Sequence, residues 1–417
     1  MVAGASFVAA LGLASRARVP EIPTPIDWIG ASVNLNPSVL RYPAERISRD
    51  LLVTDLIADE QVFPAKDPRF PTARTAYEGG LPAIQRRAPA AMIGTYISGT
   101  SVKDDDLDPY YPPSKVARRP FEDLCAKLGC DRGDPRGVFK DPDFNSGEEK
   151  GRAVVNLAHE AAGRLLVDMV FEEVVSRERP LVLVDNIAFP TDDDPTWIPW
   201  EVQTAWLATL RNRLHGRSIR MLANVAVNLP RVAETDLQRL ERAVDGITLE
   251  QPLHANNRRS RDLLERAIAN DRYLLDRGAA VVLIPLCANQ DGRACTDGET
   301  SAEVRMIIGF AAAVYEPGDR LFVHHAFFEE ADPWLGFPAI FGKPLARAVV
   351  SDPDGDDRSG SEPTVPPQIR RAFENGTLVV TPSTREATFV AKQRPPDRSA
   401  RVDRRTADSA TRGVGSS

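Results

Sequence analysis

The amino-acid sequence predicts an α/β chain, a (β/α)8 TIM barrel with a small C-terminal β appendage. Three observations predict it. Eight short apolar runs rich in branched residues recur along the chain, and helical patterns alternate with them, most clearly from residue 180 onward. The runs are almost continuously hydrophobic, which suits parallel strands covered on both faces.

The strands are predicted at WIGASVNL (28–35), DLLVTDLI (50–57), AAMIGTYIS (90–98) and PLVLVDNIA (180–188). Four more follow at SIRMLANVAV (218–227), DGITLEQ (245–251), AAVVLIPLC (279–287) and RLFVHHAFF (320–328). Covering helices lie between them. In 236–244, Leu237, Leu240 and Val244 repeat at helical spacing. In 260–277, Ser260 is placed to cap, Leu264 and Ile268 are four apart, and Gly278 is a stop. Thr300 and Glu303 have capping-box spacing before the apolar run MIIGFAAAV. The units over 58–89 are weakly periodic and rich in proline.

At 417 residues the chain has length for two or three domains of about 150 residues, yet one barrel absorbs most of it. The barrel is expected over 24–350, a spacer over 351–367, a short strand pair over 368–391 around a Pro-Ser-Thr turn, and a disordered tail over 392–417. Residues 101–150, with DDD, a Tyr-Tyr pair and several prolines, form a long connection after the third strand, at the C-terminal mouth. Residues 1–20 are signal-like or disordered: a short apolar stretch ends in small residues but lacks a basic start.

The net charge of −7 argues against nucleic acid or an anionic membrane as partner, and no apolar run approaches the roughly 18 residues of a spanning helix. The four cysteines form two close pairs, Cys125/Cys130 and Cys287/Cys295. They read either as two local disulfides of an exported protein or as four thiols of a cytoplasmic one. The start of the chain favours export. Neither pair has the spacing of a zinc site, and none of the five histidines forms a ligand motif with an acid, so no metal or cofactor is expected. Oligomeric state is not readable from the sequence.

In such barrels catalytic groups stand at the C-terminal ends of strands. Strand four ends in Asp185 and Asn186, and strand six in Glu250 and Gln251. An ionisable group ending an apolar strand is expensive to bury unless paired. Two carboxylates on next-but-one strands can face each other across the mouth, as glycosidic bond cleavage requires: one protonated to donate, one ionised to attack or to activate water. Tyr96 on strand three, Asn186 on strand four, Asn224 on strand five, Gln251 on strand six and His325 on strand eight are candidate substrate-binding groups. Of His324 and His325 only one side chain can face inward. Trp197 and Trp200, in the loop TDDDPTWIPW, are candidates for stacking on sugar rings, whereas Trp206 reads as core. DDD at 104–106 and at 192–194 makes a neutral or cationic glycan the expected carbohydrate partner.

The succession RAVVNLAHEAAGRLLVDMV, LVLVDNIAFP, LANVAVNLP, DGITLEQP and RRAFENGTLVVTP resembles the TIM-barrel glycoside hydrolases related to polygalactosaminidase-type barrels, over about residues 150–390. Arg179-Pro180 replaces the Asp-Gly lead-in of strand four, and Thr381 stands where asparagine is common. The resemblance implies a hydrolase of poly- or oligosaccharides in which Asp185 matches the strand-four acid and Glu250 the strand-six acid. By analogy with barrels bearing acids there, Asp185 is the nucleophile and Glu250 the acid/base of a retaining reaction. The alternative is a non-catalytic carbohydrate-binding barrel at the cell surface. A metal-dependent hydrolase using His324 or His325 is a third, weaker reading.

Overall fold

The structure is a computed structural model and describes residues 19–25, 30–33, 51–54, 86, 89, 91–99, 101–103, 126–129, 138, 152–176, 178–188, 198–226, 232–250, 252–253, 258–287, 295–324, 333–351 and 366–392. Its first strands are β1 (Gly30–Val33), β2 (Leu51–Thr54) and β3 (Met92–Ser98), then the short β4 (Ser101–Lys103) and β5 (Arg152–Val154). After these come β6 (Leu181–Ala188), β7 (Arg220–Ala226), β8 (Gly246–Glu250), β9 (Ala280–Ile284) and β10 (Leu321–His324). Apart from β4 and β5, these strands pair in parallel in the order β1, β2, β3, β6, β7, β8, β9, β10, and β10 returns to β1 to close the ring. Every one of the eight lies within a run predicted from the sequence.

The helices are α1 (Glu160–Ser176), leading into β6, and α2 (Trp200–His215), α3 (Glu234–Ala243), α4 (Arg261–Asp276) and α5 (Asp297–Val314), following β6 to β9. The connections after β1 and β2 lie outside the described residues, so the strand–helix repeat is seen from α1 to β10. No helix among the described residues is long and apolar enough to cross a membrane.

Alternation along each strand divides the core. Leu181, Leu183, Leu222, Ala280, Val282, Ile284 and Phe322 fill the inside of the ring, while Val182, Val184, Met221, Ile247, Val281 and Val323 pack outward beneath the helices. Residues 19–25 seal the N-terminal ends of the strands. Ile22 joins the interior cluster, Arg220 donates through Nε to the Pro20 carbonyl at 2.6 Å, and Arg320 through Nε to that of Ile22 at 3.0 Å. Asp245, entering β8 at this end, accepts from Arg211, His215, Arg220 and the Met221 N–H.

Helix ends follow local chemistry. Ser260 caps α4 by accepting from the Leu263 N–H, and Gly278 just beyond has φ +78°. The capping box of α5 is Thr296 with Glu299, not Thr300 with Glu303. The same spacing occurs twice, and the first instance starts the helix. Glu303 is instead buried on α5, paired with Arg258 at 2.5 Å and Arg385 at 3.1 Å.

After α6 (Phe337–Phe341), β11 (Val349–Ser351), β12 (Gln368–Phe373), β13 (Gly376–Thr381) and β14 (Glu386–Ala391) form a four-stranded antiparallel sheet. The expected pair around Pro382–Thr384 is β13 and β14; the sheet adds β11 and β12. β12 escapes pattern reading because its buried face, Ile369, Arg371 and Phe373, includes a guanidinium. Arg371 donates to the carbonyls of Ala312, Ala313 and Tyr315 and pairs with Glu316, covering the C-terminus of α5. Sandwiched between barrel and sheet, α5 is apolar on nearly all sides from Met306 to Val314. At Gly309 an added Cβ would lie 2.8 Å from that of Ala387, so the absent side chain is what lets β14 approach. Of the expected spacer and tail, residues 352–365 and 393–417 lie outside the described residues, as do residues 1–18.

Candidate active site

Five inward-facing side chains meet at the C-terminal end of the ring. Along β6, Leu181 and Leu183 point inward, and Asp185 continues that face. Along β8, Gly246, Thr248 and Glu250 share one face, and Asn224 extends the inward face of Leu222 on β7. Tyr96 on β3 packs against the interior cluster. Val184 pairs with Ala223 and Ile187 with Val225, so Asp185 and Asn186 stand opposite Asn224 alone. Such a bulge turns the chain locally and re-aims the side chains it carries.

The hydrogen bonds make one network. The Tyr96 hydroxyl donates to Asp185 Oδ2. Asn224 Nδ2 donates to Asp185 Oδ1 at 2.7 Å and to Glu250 Oε1 at 2.9 Å. Thr248 Oγ1 donates to Asn224 Oδ1 at 2.8 Å. Thr248 and Asn224 are buried, whereas both carboxylates and Tyr96 are half-buried. The acids therefore face the opening above a solvent-excluded layer of polar side chains. Beneath it lie Leu222, Val282 and Phe322.

Burial pushes the Glu250 carboxyl above its ordinary value; the bond from Asn224 pulls it down, and the neighbouring charge of Asp185 pushes it further up. Gly99, just past β3, donates its N–H to the Asp185 carbonyl at 2.9 Å. A Cβ there would lie 2.7 Å from that oxygen, so glycine is required where the chain crosses the acid. Beyond it, β4 and β5 pair antiparallel, Ser101 opposite Val154 and Lys103 opposite Arg152.

Asp185, Glu250, Tyr96 and Asn224 are thus brought together. Trp200 is not at the opening: it is the first residue of α2, 3% exposed in the outer core, with its indole N–H donating to the Asp236 carbonyl. Helix α2 begins directly after Pro199 and draws the ring inward, leaving no face for a sugar. Trp206 is core, as expected. The inward histidine is His324, on the same face as Phe322 and fully buried. His325, like Trp197 and Gln251, lies outside the described residues, and for Asn186 only the backbone is described. Thr248 was not predicted, although its spacing of two from Glu250 marks the same face. Cys287 and Cys295 form a disulfide; Cys125 and Cys130 lie outside the described residues. Among the described residues no cluster of three or more His, Cys, Asp or Glu side chains could hold a metal ion.

No family model and no curated protein matches this chain. Among solved structures it is similar to Ega3 of Aspergillus fumigatus in complex with galactosamine, at 11% identity and a TM-score of 0.42, covering 74% of this chain and 94% of that one. A noncanonic maltogenic α-amylase, AmyB of Thermotoga neapolitana, gives 9% identity and 0.41 over 85% and 86%. The GH36 α-galactosidase AgaA of Geobacillus stearothermophilus gives 11% and 0.41; the match covers 85% of this chain but only 47% of the galactosidase.

Proposed function

We propose that this protein is a glycoside hydrolase acting on a poly- or oligosaccharide, with Asp185 as nucleophile and Glu250 as general acid/base. The observation that carries the reading is the single nitrogen, Asn224 Nδ2, bonded to both carboxylates. The two bonded oxygens are therefore no farther apart than the sum of two hydrogen bonds. That compares with the carboxyl spacing of about 5–5.5 Å in retaining enzymes and is shorter than the roughly 6.5–9.5 Å of inverting ones.

The raised Glu250 suits the acid. In the first step Asp185 attacks the anomeric carbon, the glycosidic C–O bond breaks, and Glu250 gives its proton to the leaving oxygen. In the second, Glu250 takes a proton from water, the water oxygen attacks the anomeric carbon, and the Asp185 ester bond breaks. Before attack Tyr96 and Asn224 hold one oxygen each of Asp185. The reading takes the molecule as a (β/α)8 barrel, the substrate as a neutral or cationic glycan, and the protein as exported, which the disulfide between Cys287 and Cys295 supports.

A reducing-sugar assay over a polysaccharide panel tests this. Release by the wild type and its loss by about 10⁴-fold in Asp185→Asn is expected, with the melting temperature little changed. Glycan binding without any release of reducing ends would instead favour the non-catalytic barrel.

A further inference from the structure

We propose that Asn224 is a positioning residue whose amide follows the negative charge as it passes between Asp185 and Glu250, and that Thr248 locks it in that role. The inference rests on the reading of these two acids as the reacting pair.

The geometry argues it in three steps. First, the amide has one workable orientation. Thr248 donates to Oδ1, so the NH2 faces the acids. Turning the amide over would set its oxygen against the Asp185 carboxylate and forfeit the bond that Thr248 donates. Because Asn224 is 5% exposed and Thr248 is fully buried, water cannot replace either partner.

Second, an amide N–H does not ionise in the working range, so Asn224 cannot serve as acid or base. It supplies two neutral donors from one atom. Third, the net charge of the pair is constant while its location changes. Before attack Asp185 is the anion and Glu250 is protonated; in the covalent intermediate Asp185 is an uncharged ester and Glu250 the anion. Both anions are acceptors of the same nitrogen. A small tilt strengthens one bond as the other weakens, with no reorganisation of solvent. Among the described residues, the other ionisable groups on the inner face are Tyr96 from β3, which donates to Asp185, and His324 from β10, fully buried on the face of Phe322.

The bond from Asn224 pulls Glu250 down, so losing it moves Glu250 up. The test is an NMR titration of the Glu250 side-chain carboxyl, identified by its loss in Glu250→Gln, alongside kcat and KM. Variants are Asn224→Ala, Thr248→Val and the conservative Thr248→Ser, each checked by thermal melting. The expected result is a Glu250 midpoint moved to higher pH in Asn224→Ala and Thr248→Val, with kcat lower by about 10²-fold and KM within about twofold. Thr248→Ser, which keeps the hydroxyl, restores both. A midpoint unmoved in folded Asn224→Ala and Thr248→Val overturns the proposal, whether or not any sugar is cleaved. A midpoint that moves as expected in a protein that cleaves no glycan upholds the coupling and sinks the hydrolase reading.

Discussion

Asn224 on β7 stands alone against Asp185 and its neighbour Asn186 on β6, and its one amide nitrogen bonds Asp185 at 2.7 Å while also bonding Glu250. Val184 and Ile187 are three residues apart, which in a regular strand would put them on opposite faces, yet both pack outward, because the bulge's extra residue restores the alternation beneath the helices.

Glu250 sets a pH limit. As the proposed acid it must be protonated to release the leaving group, so kcat/KM is expected to fall as pH rises through its raised value, later than an ordinary glutamate near 4.3 would allow. Glu250→Gln should abolish this alkaline limb and slow cleavage by about 10²–10⁴-fold, yet spare kcat/KM for a dinitrophenyl glycoside, whose leaving group needs no proton, while its kcat still falls because the second step loses its base. A limb retained in Glu250→Gln would exclude it as the acid.

Asp271 lies in α4, 2% exposed, its carboxyl pushed up to about 8 by burial against the pull of Arg272. The unfolded chain ionises it near 3.8, so between these values ionisation favours unfolding, and stability falls as pH rises from 3.8 to about 8. Asp271→Asn should therefore match the wild type near pH 4 and melt at least about 3 °C higher near pH 8. Equal melting temperatures at both values would contradict this.

Asp245 behaves in the opposite sense. Burial pushes its carboxyl up, but the His215 bond, the Met221 N–H and the Arg211 charge together bring it below its ordinary value. Its contribution is present above 3.8 and is lost as pH falls through the lowered value. Asp245→Asn, which leaves Arg211 and Arg220 without their shared anion, should destabilise by about 3–5 kcal/mol in urea unfolding at neutral pH. The difference should shrink in acid.

Arg371, its side chain 1% exposed, joins β12 to the last turn of α5. Arg371→Met keeps volume but orphans the carbonyls, and a loss of about 3 kcal/mol is expected. Arg371→Lys should rescue little, because an ammonium lacks the planar fork that reaches several carbonyls at once. Full rescue by lysine would show that charge alone matters.

Much of this was readable in the chain because parallel strands are apolar on both faces and stand out as runs. The acids were readable for the same reason: Asp185 and Glu250 interrupt such runs at their ends. What escaped lay in three-dimensional context. Thr248 sits inside an apolar run and looks like a strand former. The choice between His324 and His325 depends on which face Phe322 takes, and that is set by the closed ring. Trp200 followed a proline in a stretch that reads as loop, yet the helix starts there. β12 was missed because Arg371 breaks an otherwise alternating pattern, its charge satisfied by carbonyls far away in sequence.

Ile22 and the arginine bonds to Pro20 and Ile22 fix the polypeptide's entry at the end of the ring opposite the carboxylates. A bead, a fusion partner or a wall anchor joined ahead of residue 19 therefore meets the sealed end. Held that way, the protein turns the end that bears Asp185 and Glu250 toward the bulk phase. A polymer too large to slip between protein and support would still reach both carboxylates.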